Sequence, residues 1–579
     1  MNDSTCSLED PAREHFEIQT VYLVHGAGIR TRAILGMQSM LRQLELEGLP
    51  PVVHFEWTAT ACDHSGTPIR ARRYVTSRNE ELVFDSETLL GGDGPRLLTG
   101  SVYLEVESVL FERAPGPVRA SARNFNGIYF NYRAGTFITG VHLYHSVMRY
   151  GAARSLVYYA KRLVRDSILG LKAALTGARS RGAWKGDAIG ASVVRAGSQP
   201  GSKALVVLHN ENPFPGGSAF IELRRSPDTV YRHALPILAR RATLKLELDA
   251  THDAGLRQWT QVLCGQPPMG LARFLTGEKF PDGSFCLDHT YFQQPRGSIW
   301  GKVEEVRFFP KSTLSDVIIG PSNPWLCLHN NLVRSEIVLC NQFFPDDSYE
   351  YDLRIFDEAG RLMLHAPGAA RVEPYGMTTL DISAALDALD IHDFRGTYVI
   401  GYGRGSSAEQ LPSRLHAQGI YRFHDGYWNG VQSDASIWSS PSVQAAQIEQ
   451  LSGVRIRRRQ LWYALAVESD DLETLLSLAN LSYSLDYDQT QTLLVTLCAG
   501  AENLAEAEVT LPPFGSTLLA VRDLFPEQFP TDGAVRYRTI KVYPKTGKTY
   551  CASFLVRDRV THRFVLEHVL PMPKYEHEK

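Results

Sequence analysis

Four histidines, two of them beside an aspartate, are the residues whose types could do chemistry. Asp288-His289 lies in Phe285-Cys286-Leu287-Asp288-His289-Thr290-Tyr291-Phe292, and His424-Asp425 in Tyr421-Arg422-Phe423-His424-Asp425-Gly426-Tyr427-Trp428. Imidazole and carboxylate together ligate divalent iron, manganese or zinc, and ligands from distant strands can converge on one ion. His329, in Leu328-His329-Asn330-Asn331, and His209, in Leu208-His209-Asn210, are further candidates. The expected metal set is therefore His289, His424, His329 and His209. Neighbours on a strand point to opposite faces, so Asp288 and His289 enter one site only across a bulge. The competing reading makes each histidine a capped or half-buried residue of a recurring turn.

Three other stretches invite a chemical reading. Val21-Tyr22-Leu23-Val24-His25-Gly26-Ala27-Gly28 resembles the strand and His-Gly turn of the α/β-hydrolases, where such a turn offers backbone N–H groups to an oxyanion. That resemblance implies a hydrolase with a G-x-S-x-G elbow. The nearest strand-turn, Val399-Ile400-Gly401-Tyr402-Gly403-Arg404-Gly405, has no serine at its centre. This glycine run matches neither a P-loop nor a dinucleotide fingerprint and reads as a hairpin loop. Arg455-Ile456-Arg457-Arg458-Arg459 is a short basic cluster, which reads as a solvated face.

The elements that must position these residues repeat. Asn210, Asn341 and Asn480 each follow an apolar strand-like run, at intervals of about 131 and 139 residues. A second landmark keeps phase: Thr243-Leu244-Lys245-Leu246, then Thr379-Leu380-Asp381-Ile382, then Thr517-Leu518-Leu519-Ala520. The asparagines recur where the histidine at position 209 does not, so they read as turn-forming residues at strand ends. The Asp-His stretches close two of the units, with Trp300 and Trp438 as plugs at their ends. Short alternating runs separated by Pro-Gly-Gly, Pro-Asp-Asp and Asp-Glu-Ala-Gly predict antiparallel sandwiches.

The expected fold is mainly β: tandem antiparallel β-sandwich units, Ig-like or similar, of about 135 residues with one helical insertion. Boundaries are expected at 1–140 for a divergent first β unit, 141–200 for a basic helical insertion and linker, and 201–320, 321–450 and 451–579 for three further sandwich units. Within the first unit, Leu35 to Leu46 has helical spacing. Within the insertion, Tyr144 to Gly177 interleaves leucines and valines with Arg149, Arg154, Lys161, Arg162, Arg165 and Lys172, the pattern of an amphipathic helix.

Composition bounds the function. A chain of 579 residues with 44% hydrophobic residues is too long for one core, and its net charge of -3 argues against a protein devoted to nucleic acid. Met1 to Glu17 lacks the basic start and apolar core of a secretory signal, and no apolar run is long enough for a spanning helix. The scattered cysteines, without a C-x-x-C pair, read as reduced thiols. A cytoplasmic protein is expected, peripheral to the inner face of a membrane if residues 144–177 lie on anionic lipid. Two functional classes fit. One is a tandem-sandwich binding or scaffold protein with a protein partner or a small, lipid-like ligand. The other is a metal-dependent enzyme of a biosynthetic pathway, with an α/β-hydrolase-like enzyme as a third reading.

Overall fold

The computed structural model describes most of residues 17–571; outside the description lie chiefly 1–16, 114–125, 144–187, 211–219, 295–303, 433–461 and 572–579. The basic segment 144–177, Trp300, Trp438, the Arg455–Arg459 cluster and the side chain of His289 fall there. The described protein is mainly β and antiparallel.

The first segment carries β1 (Glu17–His25), β2 (Ile29–Gly36), β3 (Val52–Asp63), β4 (Pro68–Ser77), β5 (Leu82–Asp85), β6 (Leu98–Phe111), β7 (Asn126–Arg133) and β8 (Thr136–Leu143). It pairs them as two sheets, β1-β6-β3-β4 and β5-β2-β7-β8. Alternation explains the layering: Phe55, Trp57, Ala59 and Ala61 of β3 are buried, facing Val21 and Leu23 of β1 and Leu35 of β2 in one apolar core. Each large side chain so buried contributes roughly 1.5–3 kcal/mol.

The second segment has β9 (Ala188–Val194), β10 (Lys203–Asn210), β11 (Phe220–Arg224), β12 (Val230–Ala234), β13 (Thr243–Asp249), β14 (Thr260–Gln266), β15 (Ala272–Lys279) and β16 (Phe285–His289), then β17 (Phe292–Gln294), β18 (Glu304–Glu305) and β19 (Phe308–Pro310). The third has β20 (Ser322–His329), β21 (Val333–Cys340), β22 (Tyr349–Asp357), β23 (Leu362–Val372), β24 (Met377–Asp381), β25 (Phe394–Tyr402), β26 (Gln410–Pro412), β27 (Ala417–Phe423) and β28 (Trp428–Gln432). The fourth has β29 (Trp462–Glu468), β30 (Leu472–Ala479), β31 (Gln491–Ala499), β32 (Glu502–Leu511), β33 (Ser516–Ala520), β34 (Arg536–Pro544), β35 (Cys551–Asp558), β36 (Phe564–His568) and β37 (Leu570–Pro571). The pairings β12-β11-β14-β9, β23-β22-β25-β20 and β32-β31-β34-β29 follow the order of the first sheet. Those of β13-β10-β15-β16, β24-β21-β27-β28 and β33-β30-β35-β36 follow the second. In the third segment the two layers join through one residue pair, His329–Arg334.

Short helices follow the fifth-type strand: α1 (Ser86–Leu90), α2 (Ile382–Asp387) and α3 (Val521–Leu524). Asp85 and Asp381 cap the first two, accepting hydrogen bonds from the N–H groups of Glu87 and Ala384.

Successive segments meet by one mode. In the first and third segments the turn between the third and fourth strands docks on the loop before the fifth strand of the next segment. Thr243 N donates to His64 O at 2.9 Å, and Ser516 N to Glu358 O at 3.1 Å, where Phe356 and Phe514 stack with centroids 4.8 Å apart. Between the second and third segments Arg224 lies over the ring of Tyr375 at 4.6 Å. The fourth segment then reaches the first: Ala501 N donates to Arg78 O at 2.7 Å, and Gly500 N and Thr539 Oγ1 both donate to Glu81 Oε1, at 3.3 and 2.8 Å. Contacts along the last strands close the same cycle, β8 to β16, β16 to β28, β28 to β36 and β36 to β8.

Three expectations are corrected. The stretch read as linker contains β9, a strand paired with both β14 and β17, so the second segment begins before residue 201. Small residues, Ala188-Ile189-Gly190-Ala191, hid this strand from a reading based on bulky alternation. Leu35 lies in β2, which runs to Gly36, and the helical spacing is taken up only from Gln38, through Leu41, Leu44 and Glu45. The hydrolase-like stretch is an antiparallel strand: β1 pairs with β6 along its length and turns at Gly26–Gly28 directly into β2, not into the parallel sheet that the resemblance implies.

Candidate functional site

His329 ends β20, and the chain then makes a tight hairpin held by its own asparagine. Asn330 Oδ1 accepts from the N–H groups of Leu332 and Val333 at 2.9 and 3.0 Å. Beside this hairpin runs α2, anchored through buried Ile382 and Leu386; Ser383 Oγ accepts from Ser335 N of β21 at 2.9 Å. The helix ends at Asp387, and Ile391 N donates to Leu386 O at 3.1 Å, folding the chain back through Asp390 at φ +61°. That return brings His392 against Asp387.

Asp387 Oδ1 lies 3.0 Å from His329 Nε2 and 3.4 Å from His392 Nδ1. These separations are close to the roughly 3.3 Å edge of a tetrahedron with metal–ligand bonds of about 2.0–2.1 Å. Asp387 Oδ2 accepts instead from Arg334 Nη2 at 2.8 Å, which aims Oδ1 at the two imidazoles. That hydrogen bond holds the carboxyl below its usual range, so the group is ionised. His392 Nε2 is 3.0 Å from Asp390 Oδ1, the outer carboxylate partner that commonly orients a metal-bound histidine. His329 is buried and His392 exposed, leaving one side open to solvent. Two nitrogens and one carboxylate oxygen suit zinc or another divalent transition ion, with a fourth position for water or a ligand.

Of the four expected ligands, only His329 belongs to this cluster. His209 is buried beside Tyr22, and its Nδ1 is 2.8 Å from Thr243 Oγ1, at the junction of the first two segments. His289 pairs with Leu275 at the end of β16. His424 is exposed, its N–H donating to Leu332 O at 3.0 Å, so it borders the same hairpin from the opposite side. The aspartates beside these histidines are engaged elsewhere: Asp288 accepts from Gln418 Nε2, and Asp425 pairs with Arg563 at 2.6 Å. Asp387 and His392 escaped the sequence reading, although the run Asp387-Ala388-Leu389-Asp390-Ile391-His392-Asp393 is dense in ligand types.

His329 also occupies a recurring place. The last residues of β1, β20 and β29 are His25, His329 and Glu468, all buried. Just before each, a backbone pair is bonded by a hydroxyl seven residues on: Val24 by Thr31, Leu328 by Ser335, Val467 by Thr474. His25 Nδ1 is 3.0 Å from Ser86 Oγ of α1. Glu468 accepts from Thr474 N at 2.7 Å and has Arg522 at 3.4 Å; burial, partly offset by these contacts, pushes its carboxyl up to about 7.

Compared with known protein families and with curated proteins, the sequence matches none.

Proposed function

We propose that the protein is a binding scaffold in which four related sandwich domains close into a ring. The observation that supports this is the fourth junction: Gly500, Ala501 and Thr539 meet Arg78 and Glu81 as the other turns meet their neighbours' loops. A linear tandem array leaves its end units unpartnered, whereas closure fixes every unit on two sides and sets clefts between adjacent units at constant spacing. Such clefts are where a partner protein or a small ligand would be held. Small-angle scattering of the full chain tests the closure. A radius of gyration near the compact expectation of about 25 Å supports the ring, and a value typical of an extended string of domains overturns it.

The His329–Asp387–His392 cluster favours a second reading, a metal-dependent protein whose ion sits at the end of β20. In this reading the metal set first inferred from His289 and His424 moves to the third segment. Elemental analysis of protein purified without added metal, followed by zinc titration, decides it: one ion bound per chain, lost on Asp387→Asn, is the expected result. Stoichiometric binding that persists in Asp387→Asn would place the metal elsewhere.

A further inference from the structure

On the far side of the Asn330–Leu332 hairpin lies a cleft of about 430 Å³. It is shared by the second and third segments, since Arg195 and Ser198 face Arg334, Arg422 and His424 across it. Three arginines from three different parts of the chain thus line it, and no acidic residue is among its described lining. Two of them have acidic partners that are not among the lining residues. Arg334 pairs with Asp387 at 2.8 Å, while Arg422 pairs with Glu336 and lies 3.5 Å from Asp381. Arg334 also lies 3.8 Å from Asp381, and each guanidinium carries five donors, more than these two carboxylate contacts use. Glu336 is buried, and its carboxyl is pushed up by that burial although Arg422 opposes the shift.

The remaining wall is aromatic. Phe423, Tyr427 and Trp428 line it, with Trp428 fixed by a 2.6 Å bond from its Nε1 to Glu278 and by an edge contact to Trp259 at 4.8 Å. Arg195 lies over that Trp259 ring at 5.7 Å, which orders the guanidinium at the rim. Tyr427 is itself packed between Arg563, 3.1 Å from its ring centre, and Phe280, with centroids 4.1 Å apart, so the wall offers aromatic edges. Aromatic edges beside arginines match a small molecule with a flat ring at one end and a phosphate or carboxylate at the other.

We propose that this cleft is a binding site for a small aromatic phosphate or carboxylate, with Arg195, Arg334 and Arg422 on the anion and Tyr427 and Trp428 on the ring. The proposal rests on the binding-scaffold reading and gives it a ligand class; scattering tests the ring and titration tests the cleft, so the two fail separately. The experiment is calorimetric titration of the full chain with phenyl phosphate, alongside inorganic phosphate and phenol. Phenyl phosphate is expected to bind at least tenfold more tightly than either part, and more weakly as salt is raised. Arg195→Gln, at the rim, is expected to weaken binding at least tenfold while the chain stays folded by circular dichroism. Asn331→Trp, on an exposed hairpin residue that lines the cleft, fills its mouth and should do the same. Absence of binding to millimolar phenyl phosphate, or binding unchanged in both variants, overturns the proposal.

Discussion

At the residue scale, the chemistry of the third segment depends on protonation as much as on geometry. A metal at His329, Asp387 and His392 competes with protons for the ligating nitrogens of both imidazoles. Zinc affinity, measured by titration across pH, is therefore expected to fall by tenfold or more on acidification. His329→Ala and Asp387→Asn should each lower it at least tenfold at pH 7.5; a flat pH profile would remove the imidazoles from the site. Glu468 offers an independent titration. Burial raises its carboxyl from 4.5 to about 7, so the native state holds a proton that the unfolded chain has released. Stability from this group is thus present below about pH 4.5, is lost as pH rises towards 7 and is then constant, a change on the order of 3 kcal/mol. Glu468→Gln keeps the acceptor for Thr474 N and cannot ionise. It is expected to flatten the denaturation midpoint between pH 5 and 7.5; an equally steep variant would acquit Glu468.

At the element scale, the recurring asparagines are ties between elements, where the sequence suggested local turns. Asn210 Nδ2 donates to the carbonyls of Leu238 and Ala239, Asn341 Nδ2 to those of Asp347 and Glu373, and Asn480 Nδ2 to those of Gln489, Leu511 and Pro512. Each thus binds the end of one strand to the loop that presents the docking surface for the preceding segment. In the first segment β2 ends in Gly36, and Glu81 does the work by accepting from Met37 N at 2.9 Å. Asn480 also accepts from Tyr487 O–H at 2.8 Å, so Asn480→Ala strips partners from three carbonyls and a buried hydroxyl. A loss of about 3 kcal/mol is expected from urea unfolding; a loss under 1 kcal/mol would mean water replaces the side chain. Period and alternation made the strands and these asparagines legible, because both are local in sequence. The His329–Asp387–His392 cluster was not. It depends on a hairpin and a helix end about fifty residues apart being set side by side, and the adjacent Asp-His pairs drew attention because they are adjacent. Strand β9 was missed for another reason, since its small side chains carry little hydrophobic signal.

At the scale of the whole molecule, closure changes what one weakened junction costs. Gly66 and Gly500 sit at equivalent turn positions with φ +87° and +50°, and a Cβ at either would overlap a backbone carbonyl of the next segment, Arg240 or Arg78. In a ring, breaking one junction leaves its two faces held near each other by the other three, at a high effective concentration. The first break is therefore partly compensated. Breaking both junctions of the first segment releases it from its neighbours altogether. Gly66→Val and Gly500→Val are each expected to lower the urea midpoint modestly, with scattering still compact, while the double variant loses more than the sum of the two and expands. A linear chain of domains predicts simple additivity, and no effect of Gly500→Val on the first segment. Measured by hydrogen exchange, protection of Val21 to Val24 in β1 should therefore fall in Gly500→Val if the fourth segment supports the first, and should not change if the two are independent.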